Sequence, residues 1–196
     1  RQKTLIQNQT GSQKAIVYYN NEGELRVKKL PDDLDTLSVL YNNKLVNTSA
    51  PDTDVLTIND FIPADGSVTF IDAGGDGIIE LVRVESYETY VVGKINGSSI
   101  PTSIDDKFRK DSQGIAENLV INDWDINLDL EIVDRNGNEQ NFSNITIGSV
   151  LSVAVSKCGT YEKVIIVKDI LSGVTVNEIQ NDYLRLGTTT YNKSDY

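Results

Sequence analysis

The chain has 196 residues with 29 acidic and 18 basic side chains, a net charge of −11, no His, no Met and a single Cys. That balance repels phosphate backbones and lacks the basic stripe that nucleic-acid binding requires. The lone Cys158 excludes an internal disulfide and any multi-cysteine zinc site, and no apolar run reaches the length of a bilayer span. The acidic residues are dispersed rather than blocked, which argues for solvated strand faces and turns instead of a disordered tail. Such a surface suits solubility and cation binding at a cell wall. The chain opens on Arg1-Gln2-Lys3 without Met or a signal pattern, and it reads as a fragment of a longer polypeptide whose export this opening does not address.

Taken in order, the elements are strands. Ala15–Tyr19 and Glu24–Lys29 flank the turn Asn20-Asn21-Glu22-Gly23, and Thr36–Tyr41 and Lys44–Val46 flank Asn42-Asn43. Asn and Gly tolerate the positive φ that tight hairpins require. Asp32–Asp35 and Thr57–Phe61 offer only short helical turns, without an apolar stripe. Val68–Ile71, Ile78–Val84 and Tyr87–Ile95 read as strands. Leu128, Leu130 and Ile132 alternate with Asp129 and Glu131, a half-buried strand running to Asp134; Arg135–Asn138 then turns into Glu139–Phe142. Leu151, Val153 and Val155 alternate in the same way. Tyr161–Lys168 is more continuously apolar, as expected of a strand covered on both faces. Val174 and Val176 alternate with Thr175 and Asn177 in a last unit that turns at Asn181-Asp182.

These short elements predict an all-β fold of two small barrel- or sandwich-like antiparallel modules with little helix. Composition shifts at Asn96–Ser99 and Lys168–Gly173 divide the chain into modules at 12–95 and 96–172. A further unit at 173–196 is expected to pair with the N-terminal segment.

Two constellations bear on chemistry. Asp72-Ala73-Gly74-Gly75-Asp76-Gly77-Ile78-Ile79-Glu80 resembles calcium loops of the Asp-x-Asp-x-Asp-Gly type, with Asp72, Asp76 and Glu80 as the candidate metal ligands. Its third position is Gly74 and its twelfth Arg83, so two of the expected oxygen donors are missing. The plain alternative is a Gly-rich hairpin loop, with no cofactor. The second constellation is aromatic. Trp124, Tyr87 and Tyr90, with Tyr161, are candidate ligand-binding rings for a sugar platform, because such rings stack on apolar sugar faces. Packing on pleated surfaces is the competing role. Acidic pairs such as Asp32-Asp33 and Asp105-Asp106 are expected by chance among 29 acids, and no phosphate loop or nucleophile motif occurs. No catalytic residue is assigned.

A series of segments carries a family resemblance, among them Ile104–Lys107, Val133–Gly137, Val164–Val167 and three longer groups. The first is Gly66-Ser67-Val68-Thr69-Phe70-Ile71-Asp72 with Glu88-Thr89-Tyr90-Val91-Val92. The second is Asn144-Ile145-Thr146-Ile147-Gly148-Ser149-Val150-Leu151. The third is Gly173-Val174-Thr175-Val176-Asn177 with Tyr183-Leu184-Arg185-Leu186-Gly187. In this order, over roughly residues 12 to 191, the chain resembles the β-rich regions of clostridial, Gram-positive cell-surface proteins that carry S-layer homology domains elsewhere. The resemblance implies an exported, extracellular, wall-associated protein in which this region is a structural spacer or presentation module. Its partners would be cell-wall or surface-layer components reached through the rest of the parent protein. It transfers no functional residues, since the wall-binding repeats are helical and do not occur in this sequence. The alternatives are a carbohydrate-binding module of a secreted protein and a phage structural module.

Overall fold

The computed structural model describes residues 5–8, 14–19, 23–31, 36–46, 56, 58–97, 102–122, 125–167, 173–181 and 183–192. The protein is all-β, as its sequence predicts. Among the described residues fifteen strands run β1 Leu5–Asn8, β2 Lys14–Tyr19, β3 Leu25–Lys29, β4 Ser38–Tyr41, β5 Lys44–Leu45, β6 Asp65–Ile71, β7 Leu81–Asn96 and β8 Thr102–Lys110. They continue as β9 Ala116–Ile121, β10 Asp129–Asp134, β11 Val150–Val155, β12 Tyr161–Val167, β13 Val176–Ile179, β14 Tyr183–Leu186 and β15 Thr189–Asn192. A nine-stranded sheet holds β4 to β12, preceded in the chain by one three-stranded sheet, β1–β3, and followed by another, β13–β15. Pairing is mostly antiparallel, but β4 with β7 and β10 with β12 run parallel.

The organising element is β7. Its residues alternate as far as Val92, so the even-numbered side chains from Val82 to Val92 share one face. Val82 and Val84 enter one buried cluster, with Ile16, Leu30, Val39 and Phe61. Val92 enters a second, with Ile104, Ile121, Leu151, Val164 and Ile166. Between them the same face carries Ser86, Glu88 and Tyr90. That polar interval, set by sequence, makes two cores instead of one.

Both edges of β7 change partner at mid-strand. On one edge β6 covers residues 81–87 and β8 takes over at Val92. On the other, β4 pairs with Leu81–Val84 and β11 with Glu88–Val91. The gap at Ser86 is closed by a side chain. Asn42 turns out of β4 at φ 41° and is 5% exposed. Its Nδ2 donates to Ser86 O at 3.1 Å and to Val155 O at 2.7 Å, and its Oδ1 accepts from Ser86 N at 2.8 Å. The side-chain amide therefore takes the place of a peptide group in the ladder and ties β4, β7 and β11 together.

The crossing to β8 needs two further devices. Gly93 lies at a bulge, where an added Cβ would come 2.9 Å from Lys107 Cα. Backbone donors that the irregular ladder leaves over are collected by Asp106. This buried carboxylate accepts from Val91 N, Phe108 N and Arg109 N at 2.9, 2.8 and 2.7 Å. Three charge-assisted bonds offset its removal from water.

Several expectations are corrected. Among the described residues no strand pair joins the final unit to the N-terminal segment: β13–β15 bond only to one another, and β1–β3 reach outside their own sheet through Lys29, which bridges to Ile78. The strand expected at Glu139–Phe142 shrinks to a single bridge, Val133 with Glu139. Phe142–Asn144 forms instead a 3-10 turn that Asn141 and Asn144 close on each other. The helical turn expected at Thr57–Phe61 is a 3-10 turn over Ile58–Phe61, while Asp32–Asp35 lies outside the described residues.

Replacing Asn42 by Ala leaves Ser86 N, Ser86 O and Val155 O without their partner. Urea denaturation of Asn42→Ala is expected to show a loss of about 2–4 kcal/mol, from one to three stranded polar groups. A loss below about 0.5 kcal/mol would refute the junction role.

Candidate functional site

The loop between β6 and β7 gathers the three carboxylates expected there. Ligand-capable oxygens of Asp72, Asp76 and Glu80 lie within 4.8 Å of one another. Their hydrogen bonds go to the loop's own backbone. Asp72 Oδ1 accepts from Gly75 N and Asp76 N, and its Oδ2 accepts from Gly77 N at 2.8 Å. Glu80 accepts from Ala73 N and Asp76 from Ile78 N, at 2.8 and 2.9 Å. Gly75 and Gly77 adopt φ of +73° and +87°, which glycine reaches without strain. These contacts are those of a self-capped turn, with each acid holding amide groups that the hairpin cannot pair.

The candidate rings do not form one platform. Tyr87 and Tyr90 stand three apart on a strand and so face opposite sides of the sheet. Trp124 lies outside the described residues. Tyr90 packs against the second core; the Arg109 guanidinium lies 4.3 Å from its ring centre and its hydroxyl donates to Glu88 at 3.0 Å. Burial, then the Glu88 charge, pushes its phenol up to about 12. Tyr90 is a packing residue beside a small groove of about 180 Å³ that Tyr41, Leu119 and Val155 also line.

Tyr87 belongs to a different groove, of about 240 Å³, on the opposite face. Its origin is a cross-strand row. Val153 pairs with Glu88, and Ala154 with Lys163, which pairs with Glu131, so Tyr87, Ala154, Lys163 and Glu131 lie side by side across β7, β11, β12 and β10. The short Ala154 between long neighbours makes the depression, and the Asn42-Asn43 turn overhangs it. Tyr161 donates its hydroxyl to Glu131 at 2.8 Å, and Lys163 Nζ donates to the other oxygen at 2.9 Å. The Lys163 bond is the main cause that holds Glu131 below the usual carboxylate range. Arg83 pairs with Glu85 at 2.6 Å. The Tyr87 hydroxyl has no hydrogen-bond partner among the described residues, and burial followed by the Glu85 charge raises its pKa. Sequence reasoning singled out Tyr87 and Tyr161 but missed Arg83, Glu85, Glu131 and Lys163. Alternation gives a residue's face, whereas its neighbours across the sheet depend on pairing between distant strands.

Glu162 lies on the core side of β12, in register with Val155, and is 5% exposed. Its Oε1 has no partner, and burial alone raises the carboxyl to about 7. The group occupies the sheet face opposite the Tyr87 groove. In comparisons with protein-family models, curated proteins and solved structures, nothing matches the chain.

Two measurements follow. Asp72→Ala should lower stability by about 1–2 kcal/mol, as the loss of a capping side chain does, equally in millimolar calcium and in chelator. An effect confined to calcium would instead assign the cluster a cation. Glu162 contributes nothing against folding below pH 4.5, where it is protonated in both states. As pH rises from 4.5 to about 7 the unfolded chain loses the proton and the folded one keeps it. The folded state is therefore penalised by up to roughly 3 kcal/mol above that range. Glu162→Gln should match the parent at pH 4 and be more stable at pH 8; equal stability at pH 8 would refute the buried charge.

Proposed function

We propose that the chain is a non-catalytic structural or presentation module of an exported bacterial cell-surface protein, one associated with a surface layer. The observation that carries this reading is the continuity of β7. One strand of 16 residues, about 50 Å long at ordinary strand rise, enters two cores and so joins them without a linker. A module built to hold a fixed distance needs such continuity.

The acids support the same reading. Glu85 and Glu131 both line the Tyr87 groove, but each is paired with a cation. Glu131 is held below the usual range, the reverse of what a glycosidic general acid requires. The carboxyl with a raised pKa, Glu162, is buried on the other face of the sheet. Wall association rests on the resemblance to clostridial surface proteins, and contact with wall or surface-layer components would run through the remainder of the parent protein.

Trypsin applied to intact cells of the producing bacterium should release peptides of this chain before any cytoplasmic marker appears. Their recovery only after lysis would overturn the surface assignment.

A further inference from the structure

We propose that the groove between Tyr87 and Glu131 binds one uncharged pyranose ring of a saccharide. The lining holds two cations, Arg83 and Lys163, and two anions, Glu85 and Glu131, so it has no net attraction for either sign. The surrounding chain, at −11, repels anionic ligands. What the groove does offer is hydrogen-bonding capacity of both kinds within a small volume. Carboxylate oxygens accept; guanidinium, ammonium and the Asn43 amide donate; the Tyr87 hydroxyl, without a partner among the described residues, does both. A neutral ring bearing adjacent hydroxyls matches that mixture, since each hydroxyl gives one bond and takes others.

Shape points the same way. The half-buried Tyr87 forms one wall of a groove floored by Ala154, and a phenol ring stacks on the apolar face of a pyranose. Tyr161 is only 7% exposed and its hydroxyl is committed to Glu131, so its part is to hold that carboxylate in place. Lys163 fixes the second oxygen of Glu131. The acceptor is thereby preorganised before ligand arrives, which limits the ordering cost of binding. A volume of about 240 Å³ admits one ring with its substituents, as an internal or terminal unit of a longer glycan. The groove also sits where the β4–β5 turn meets the outer face of β7 and β10–β12, the kind of junction between units at which ligand sites concentrate.

The test is an amide chemical-shift titration of the isotope-labelled chain with the methyl glycosides of glucose, galactose, mannose and N-acetylglucosamine, each taken to tens of millimolar. Methyl glucuronide serves as the anionic control. At least one neutral glycoside should give saturable shifts centred on Tyr87, Ala154 and Lys163. Tyr87→Ala should weaken that binding about tenfold, the scale of a lost ring contact. Ala154→Phe, which fills the depression, should abolish it while thermal unfolding stays cooperative. Should the Phe variant fail to fold, the isosteric Glu131→Gln replaces it and should weaken binding without disturbing the rest of the spectrum. The proposal is overturned by the absence of saturable shifts with all four neutral glycosides, by tighter binding of the glucuronide, or by affinity that survives both Tyr87→Ala and Glu131→Gln. Because the readout is binding alone, it is independent of where the parent protein resides.

Discussion

The architecture depends on the hydrogen-bonding capacity of one strand. Sixteen consecutive residues of β7 present peptide groups on two edges, and four different strands are needed to satisfy them. Wherever one partner stops before the next begins, the intervening donors and acceptors must be met by something else, because a buried, unpaired peptide group costs as much as a lost hydrogen bond. The protein meets that demand with side chains. The Asn42 amide bridges the interval at Ser86, and the Asp106 carboxylate collects three amides at the bulge beyond Val92. Both side chains are buried and polar, and both act as substitutes for backbone.

This arrangement concentrates polarity in the middle of the molecule. Apolar clusters take up both halves of β7, while Glu88, Tyr90 and Arg109 meet between them. The two buried side-chain atoms without a partner among the described residues are Arg109 Nε and Glu162 Oε1, on β8 and β12. On the outer face the same region brings the β4–β5 turn over the row that ends at Glu131. The groove there is a by-product of joining two cores on one strand: elements of separate units meet, and their fit leaves room where residue 154 is small.

Much of the fold was legible because strand alternation writes burial directly into sequence. Leu151 and Val153, both buried, and the Asn42-Asn43 turn with φ of 41° and 65° stand where periodicity and turn chemistry put them, whereas Val155 at the strand end is exposed. β8 was not singled out, because its inward positions are Thr102, Ile104 and Asp106, and a carboxylate in the third breaks the apolar rhythm. Only the bulge explains why an acid belongs there. The β6–β7 loop was recognisable as an acidic turn from its glycines. The separation of Tyr87 from Tyr90 could also have been foreseen, since three is an odd number of steps along a strand. The Tyr87–Glu131 row could not have been, because residues 87, 154, 163 and 131 are adjacent only through three inter-strand registers, including a parallel one.

The two buried clusters are consecutive in the chain rather than interleaved: the first draws on residues 16 to 84, the second on residues 92 to 166. A polypeptide emerging N-terminus first can therefore close the first core as soon as the leading half of β7 is available. The trailing half, with Val92 and its open edges, has to wait until β8, β11 and β12 have followed. For that interval a half-matched strand protrudes from a finished domain, and such an edge is prone to pair with a neighbouring chain. Glu88 and Lys94 along it put charge on the strand during that wait, which disfavours mispairing until the rightful partners arrive.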